Sequence, residues 1–566
     1  MPESNPPKEM SMEIRLLIAF LLMGAVMFLT PYFFKSPPAP PKKAATPPAT
    51  ASTIAAPTPE AAGPKSGKSA PPAPTAPTTS EEAKPPVEID NGVYHVVLTN
   101  QGATVRSWQL SKYKGNDNKP LELMNTSAGL EFPFSLYFPT EKPTANVNSA
   151  YYKQTADPDG LGVTYEFSDS HTSVRKVFRF QKNSYLTDVT AEVTIDGRPV
   201  PNLVQWRGGF GDLTVPNPSG ANRALYFNVA ENKLVEQYAK TAKDGPVASS
   251  GNFSFAGVAD QYFAAVFLPQ AGNSLTEVVF SDTVRTPLEQ KPLAFAGTAV
   301  SNGTTNRFSL FVGPKDLDLL KRINPKLVEV VDFGFWSILA KPLFLIVNWV
   351  NDAFVHNFGW AIVLVTVVIN FIMFPLRLTT MKSSRKMQAL KPQIDAINAK
   401  YKDISMRDPR KANQQQETME LYKKNGVNPL GGCLPSLVQL ALVYPFYKVF
   451  TVAVEMRGAN WLWVTDLSQA EHLPIKILPI AMIVTQFVSQ KMMPAPSADP
   501  NQQRMMMMMP LLFGFMFYQL PSGLVLYYLT GTVVGILQQW FFNRTDTARA
   551  VALAVQPPQK KKNGRK

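Results

Sequence analysis

The sequence predicts a multi-domain membrane protein: an all-β sandwich domain outside the bilayer, an α-helical membrane core of five spans, and an N-terminal anchor helix. Three observations carry this. Uncharged apolar stretches of bilayer length recur, Val87 to Val312 alternates with period two, and basic residues crowd two segments beside the spans. At 566 residues the chain also exceeds the roughly 250–300 residues of a single hydrophobic core.

Taken in order, residues 1–34 hold the anchor, whose apolar stretch Leu16 to Phe34 is long for a signal-peptide core and precedes no clear small-x-small cleavage site; a cleaved signal is the alternative. Residues 35–86, rich in Pro, Ala, Thr and Lys, cannot bury enough apolar surface to fold and read as a tether. Within it, Gly63 to Ser69 (GPKSGKS) has three residues between its glycines where a phosphate-binding loop has four, and reads as linker composition. In 87–312, Val189, Ala191, Val193 and Ile195 alternate with Thr190, Glu192 and Thr194, the pattern of a half-buried antiparallel strand. Two histidines and ordinary surface carboxylates give this domain no legible catalytic group. Residues 330–350, with Phe335, Trp336, Leu339, Phe344 and Trp349 around Lys341-Pro342, suggest an amphipathic helix in the outer interface. The core follows over 355–542, with spans at about 355–376, 430–454, 475–490, 505–519 and 523–542, a cytosolic helical hairpin at 382–428, and a basic tail at 543–566.

Charge orients these parts. The net charge is +14, and Lys382 to Asn428 carries eleven basic residues against five acidic, the tail from Asn543 seven against one. The loop Glu455 to Pro474 has only Arg457 against Glu455, Asp466 and Glu471. Six spans put both termini on one side, so both are expected in the cytoplasm and the sandwich outside. Cys433 is the single cysteine, which excludes an intrachain disulfide, and the four histidines are scattered, so neither a metal site nor a cofactor is expected.

Polar side chains inside the spans are the main functional signal. Thr366 and Asn370 stand four apart and Ser436 and Gln439 three apart, so each pair shares a helix face. With Gln486 and with Thr530, Thr532, Gln538 and Gln539 they imply either interhelical hydrogen bonding or a wet groove. The absence of Asp or Glu within a span counts against a proton relay or cation-coupled transporter. Met387, Leu390, Ile394, Ile397 and Tyr401, then Met419 and Tyr422, recur at helical steps, giving an antiparallel hairpin that either meets incoming chains or anchors on anionic lipid. Met492, Met493 and Met505 to Met509 offer a deformable apolar surface or simple core filling.

AIVLVTVVINFIMFPL (Ala361 to Leu376), NPLGGCLPSLVQL (Asn428 to Leu440) and LPSGLVLYYLT (Leu520 to Thr530), in this order of anchor, outer domain and five-span core, closely resemble the YidC family of bacterial membrane protein insertases, of the Gram-negative type with a large periplasmic domain. The resemblance implies a periplasmic supersandwich without enzymatic activity. It also implies insertion and folding of nascent membrane proteins, alone or with the Sec translocon and its accessory subunits, with the ribosome, the signal recognition particle pathway and anionic lipid as further partners. It implies a hydrophilic groove open to cytoplasm and lipid and closed outside, for which Thr366, Asn370, Arg377, Ser436, Gln439 and Gln486 are the candidates here, with Tyr527 and Tyr528 as substrate contacts. Many members keep an arginine in the groove where this chain has Asn370; Arg377, seven residues on along the same face, and Lys448, on the opposite face from Gln439, are the candidate replacement cations. Outside that class, a channel or transporter and a tethered carbohydrate-binding sandwich are the alternatives.

Overall fold

The computed structural model describes residues 81–115, 118–125, 131–215, 217–270, 274–286, 291–401, 410–426, 434–492 and 500–544. The expected anchor helix, Cys433 and the basic tail beyond Arg544 lie outside them. Contacts divide the chain into one unit of Pro74–Lys391 with Val427–Lys566 and another of Met1–Ala73 with Pro392–Gly426.

In the larger unit, a four-stranded antiparallel sheet runs Val87–Asp90, Tyr94–Thr99, Thr104–Lys114, Pro120–Glu122. A fourteen-stranded sheet carries, along its main path, Leu203–Trp206, Leu293–Ser301, Ser274–Val284, Val247–Ala259, Phe263–Pro269, Thr305–Pro314, Leu186–Ile195, Thr172–Phe180 and Gly162–Ser168. Val247–Ala259 turns the corner: its first half pairs with Ser274–Val279 and its second with Ala264–Phe267 and Arg223–Asn228. Both sheets send side chains into one apolar core, where Trp108 meets Trp206 at 5.7 Å and Phe134 meets Phe178 edge-on at 5.0 Å. The alternation read from the sequence is the alternation of burial, with Val189, Ala191 and Val193 inside and their neighbours half-exposed.

One residue breaks the apolar rule. Lys176 falls on the inward side of its strand, and its Nζ donates to the carbonyls of Gly102 (2.7 Å), Phe134 (2.7 Å) and Ala103 (3.4 Å). These acceptors make the burial of an amine tolerable, while desolvation lowers its pKa to about 7.

From Ser337 onward, the α-helices among the described residues are α1 Ser337–Val350, α2 Phe358–Ile372, α3 Phe374–Lys400, α4 Arg410–Lys424, α5 Leu434–Val452, α6 Ile477–Met492, α7 Pro500–Phe517 and α8 Ser522–Arg544. Helix α1 buries Ala340, Leu343, Phe344, Val347 and Val350 and exposes Ile338, Ile346 and Trp349, with Pro342 inside it and Lys341 3.4 Å from Glu329. Among the described residues, Ser337–Val355 and Ser522–Arg544 are each long and apolar enough to cross a membrane; α6 and parts of α5 and α7 are shorter apolar helices.

The spanning helix expected over 355–376 does not run straight into the basic helix: α2 and α3 meet at 59°. Asn357 caps α2 by accepting from the Trp360 amide. Pro375 has no N–H to donate to the carbonyl of Phe371, so the ladder is interrupted and the chain restarts as α3. Helix α8 packs on α2, α5 and α6, α7 packs on α6, and α1 on α5 and α2.

In the smaller unit, three side-chain contacts join the C-terminal end of α3 to α4. Lys400 pairs with Glu417 at 3.1 Å, Tyr401 Oη donates to Glu417 at 2.8 Å, and Gln414 donates to Asn398 at 2.7 Å.

Candidate functional site

The polar residues of α2 turn toward α8. Thr366 is fully buried and donates its hydroxyl back to Ile362 O (2.6 Å), and Asn370 Nδ2 donates to Thr366 O (2.8 Å), so each uses a turn of its own helix and keeps another polar atom for neighbours. Helix α8 meets them with glycines. A Cβ placed on Gly531 would lie 3.3 Å from Gln439 Nε2, 3.5 Å from Asn370 Nδ2 and 3.8 Å from Thr366 Cγ2. Three elements, α2, α5 and α8, therefore bring Thr366, Asn370 and Gln439 to one point.

One turn further, the guanidinium of Arg377 lies over Gly535, where a methyl group would overlap it. Arg377 Nη1 donates to Asn370 Oδ1 (3.5 Å) and to Gln538 Oε1 (3.3 Å), and Gln538 Nε2 donates to Asn370 O (3.3 Å). The cation is partly buried, and among the described residues no carboxylate pairs with it. Among the described residues the cluster thus carries a partly buried positive charge with no ion-pair partner, which is costly unless water or an anionic ligand serves it.

The other candidates lie elsewhere. Gln486 Nε2 donates to Tyr528 Oη (2.8 Å), and the Tyr528 ring packs against Phe517 at 5.1 Å, forming a separate pair between α6, α7 and α8. Tyr527, adjacent in sequence, points the other way and stacks on Phe446 at 3.8 Å, buried. Lys448 is 3.6 Å from Asp332, just before α1, so it has its own counter-ion. The Ser436 side chain lies outside the described residues. Gln538 is among the polar span residues read from the sequence but not among the groove candidates, and Gly531 and Gly535 carry no expectation there; the four-residue spacing of the glycines and the polar side chain three residues beyond are the available signal.

Residues 86–346 match the family model described as the YidC periplasmic domain, and residues 349–549 the model described as 60Kd inner membrane protein. The membrane protein insertase YidC of Syntrophus aciditrophicus is 30% identical over 565 residues, covering 94% of this chain and 100% of that protein. The chain belongs to the YidC family of membrane protein insertases. Further family members of that name from Aromatoleum aromaticum and Cupriavidus metallidurans are 34% and 36% identical, over 72% and 68% of this chain and 74% and 69% of theirs. A solved structure titled as an active YidC insertase with its first transmembrane domain resolved is 20% identical, covers 82% of this chain and 95% of that one, and has a TM-score of 0.36. The family matches divide the chain into a periplasmic, sheet-rich domain and an inner-membrane helical part, the two parts expected from the sequence.

Proposed function

We propose that this chain inserts and folds nascent membrane proteins through a polar groove formed by α2, α5 and α8, with Thr366, Asn370, Gln439 and Gln538 as its walls and Arg377 as its charge. The carrying observation is that, among the described residues, Arg377 hydrogen-bonds only the neutral side chains of Asn370 and Gln538. A substrate segment crossing the membrane must shed water from its polar groups, and amides and a guanidinium already placed at that depth lower the cost. An acidic segment gains most, because its carboxylate supplies the missing counter-ion. Gln486 with Tyr528 forms a second contact for the apolar helix that follows.

The orientation in this proposal puts the hairpin and both termini in the cytoplasm. The loop after α5 supports it: it is poor in basic residues and packs on the periplasmic domain through Arg457 and Asp212. The hairpin then faces the ribosome, the signal recognition particle pathway and anionic lipid, and the sandwich faces the outer side of the Sec translocon.

Insertion of a substrate with an acidic translocated segment tests the assignment. Arg377→Ala is expected to lower insertion on the order of tenfold, the effect of losing one charge-assisted contact, while Lys448→Ala stays near wild type. Wild-type insertion by both variants would remove Arg377 from the groove.

A further inference from the structure

The loop between α5 and α6 makes a tight turn at Trp461–Val464. Two backbone hydrogen bonds close it: the Trp461 amide donates to Val464 O and the Val464 amide to Trp461 O, both at 2.8 Å. Leu462 takes the first central position with a φ of 50°. A two-residue turn with positive φ there ordinarily uses glycine, because a bulky L-residue adopts the left-handed conformation under strain. Here the place is held by a leucine that is 64% exposed, followed by Trp463 at 40%. A turn lying in water gains nothing from either side chain.

The turn is firmly seated. Trp461 packs over Gly359, where a methyl group would overlap the indole, and its ring meets Trp360 edge-on at 5.5 Å. Asn357 Nδ2, at the cap of α2, donates to Asn460 O at 3.0 Å. Trp463 Nε1 donates to Glu471 Oε1 at 2.6 Å, and the other oxygen of that carboxylate accepts from the Leu478 amide in the first turn of α6 at 3.0 Å. The turn is thus fastened level with the first turns of α2 and α6. This is the side of the periplasmic domain, since Arg457 of the same loop pairs with Asp212.

No residue from Gly458 to Thr465 is charged. Exposed apolar side chains also mark the adjoining ends of the two helices, Trp360 and Leu364 on α2 and Ile477 and Ile480 on α6. Helix α6 has 16 residues and rises about 24 Å, short of the roughly 30 Å of a hydrocarbon core. A helix shorter than the bilayer leaves acyl chains against its end, and the Leu462–Trp463 turn is fastened there.

We propose that the Trp461–Val464 turn is an outer-leaflet anchor: Leu462 and Trp463 insert among the acyl chains of the phospholipids beside α2 and α6 and extend the apolar surface of these helices toward the periplasmic domain. The partner is lipid hydrocarbon. A headgroup finds no charge in the turn, and the one N–H of the Trp463 side chain is already given to Glu471. The strained backbone at Leu462 is offset when its side chain leaves water.

The experiment uses the full-length wild-type chain in vesicles of phosphatidylethanolamine and phosphatidylglycerol. The vesicles contain a phospholipid with a photoreactive diazirine either midway along an acyl chain or on its headgroup, and labelled peptides are identified by mass spectrometry, normalised to α6. Acyl-chain labelling of the turn is expected several-fold above that of the exposed sandwich strand Lys153–Ala156, and above headgroup labelling of the turn. Leu462→Asn, whose side chain tolerates positive φ and so keeps the fold, is expected to cut acyl-chain labelling of the turn several-fold at an unchanged melting temperature. Acyl-chain labelling of the turn no higher than that of the sandwich strand, headgroup labelling above it, or the same acyl-chain labelling in Leu462→Asn as in wild type overturns the anchor.

Discussion

Arg377 illustrates how a residue's role depends on what lies across from it. The glycines of α8 leave room for its guanidinium, and Gly535→Ala would fill that room. The far end of a flexible side chain can move aside, and alanine favours a helix by about 1 kcal/mol over glycine, so the variant is expected to keep its thermal stability. It is expected to lose insertion of acidic segments as Arg377→Ala does, whereas Gly531→Ala, whose methyl would sit 3.3 Å from Gln439, has a smaller effect. Equal insertion by the two glycine variants in a reconstituted assay would contradict this. In the sandwich, buried Glu277 accepts from Thr298 at 3.0 Å, and desolvation raises its pKa from 4.5 to about 8. Its folded form holds a proton that the unfolded chain releases, so stability is lost as pH rises from about 4.5 to about 8. Glu277→Gln is expected to unfold at the same temperature as wild type near pH 5 and at a higher temperature above pH 8; identical melting curves at both would refute it. The pairing of Thr366 with Asn370 was legible because both lie on one helix. The pairing of Gln538 with Arg377 was not, because that contact spans 161 residues of sequence and no local spacing reports it.

At the scale of elements, the loop Glu455 to Pro474 decides how the two halves of the larger unit are held. Arg457 pairs with Asp212, both nearly or fully buried, and donates also to Lys114 O at 2.8 Å; Val454 joins the sandwich core. Removing one partner of a buried ion pair leaves the other unpaired, at about 3–5 kcal/mol. Arg457→Ala is therefore expected to lower the melting temperature of the sandwich and to expose the segment 313–336 to protease. Asp212→Asn in the same chain should recover part of the loss, since a neutral amide can still accept from Thr214; no recovery would contradict the charge argument. Strands were legible from alternation and helices from apolar length. The 59° break between α2 and α3 was not, although Pro375 stood at its site: a proline permits a bend, and packing against α8 and α1 decides whether it occurs. Helix α1 shows the same limit, since its length and hydropathy would suit a span while the buried stripe on its inner side suits a helix lying against α5 and α2.

Over the whole molecule, a sheet domain held by aromatic packing is joined to a helical part whose polar residues converge from α2, α5 and α8. The periplasmic and inner-membrane parts were legible from alternation, hydropathy and charge, because these are summed over many residues; the convergence on Gly531 was not, because it depends on three helices meeting. The central claim is that this convergence is a path for other chains. Site-specific photocrosslinking from Asn370, Gln439 and Tyr528 to a stalled nascent membrane protein tests it most directly. The account predicts adducts from Asn370 and Gln439 to the substrate's polar translocated segment and from Tyr528 to its apolar helix. No adduct at any of the three, with the protein folded and the nascent chain membrane-bound, would contradict it.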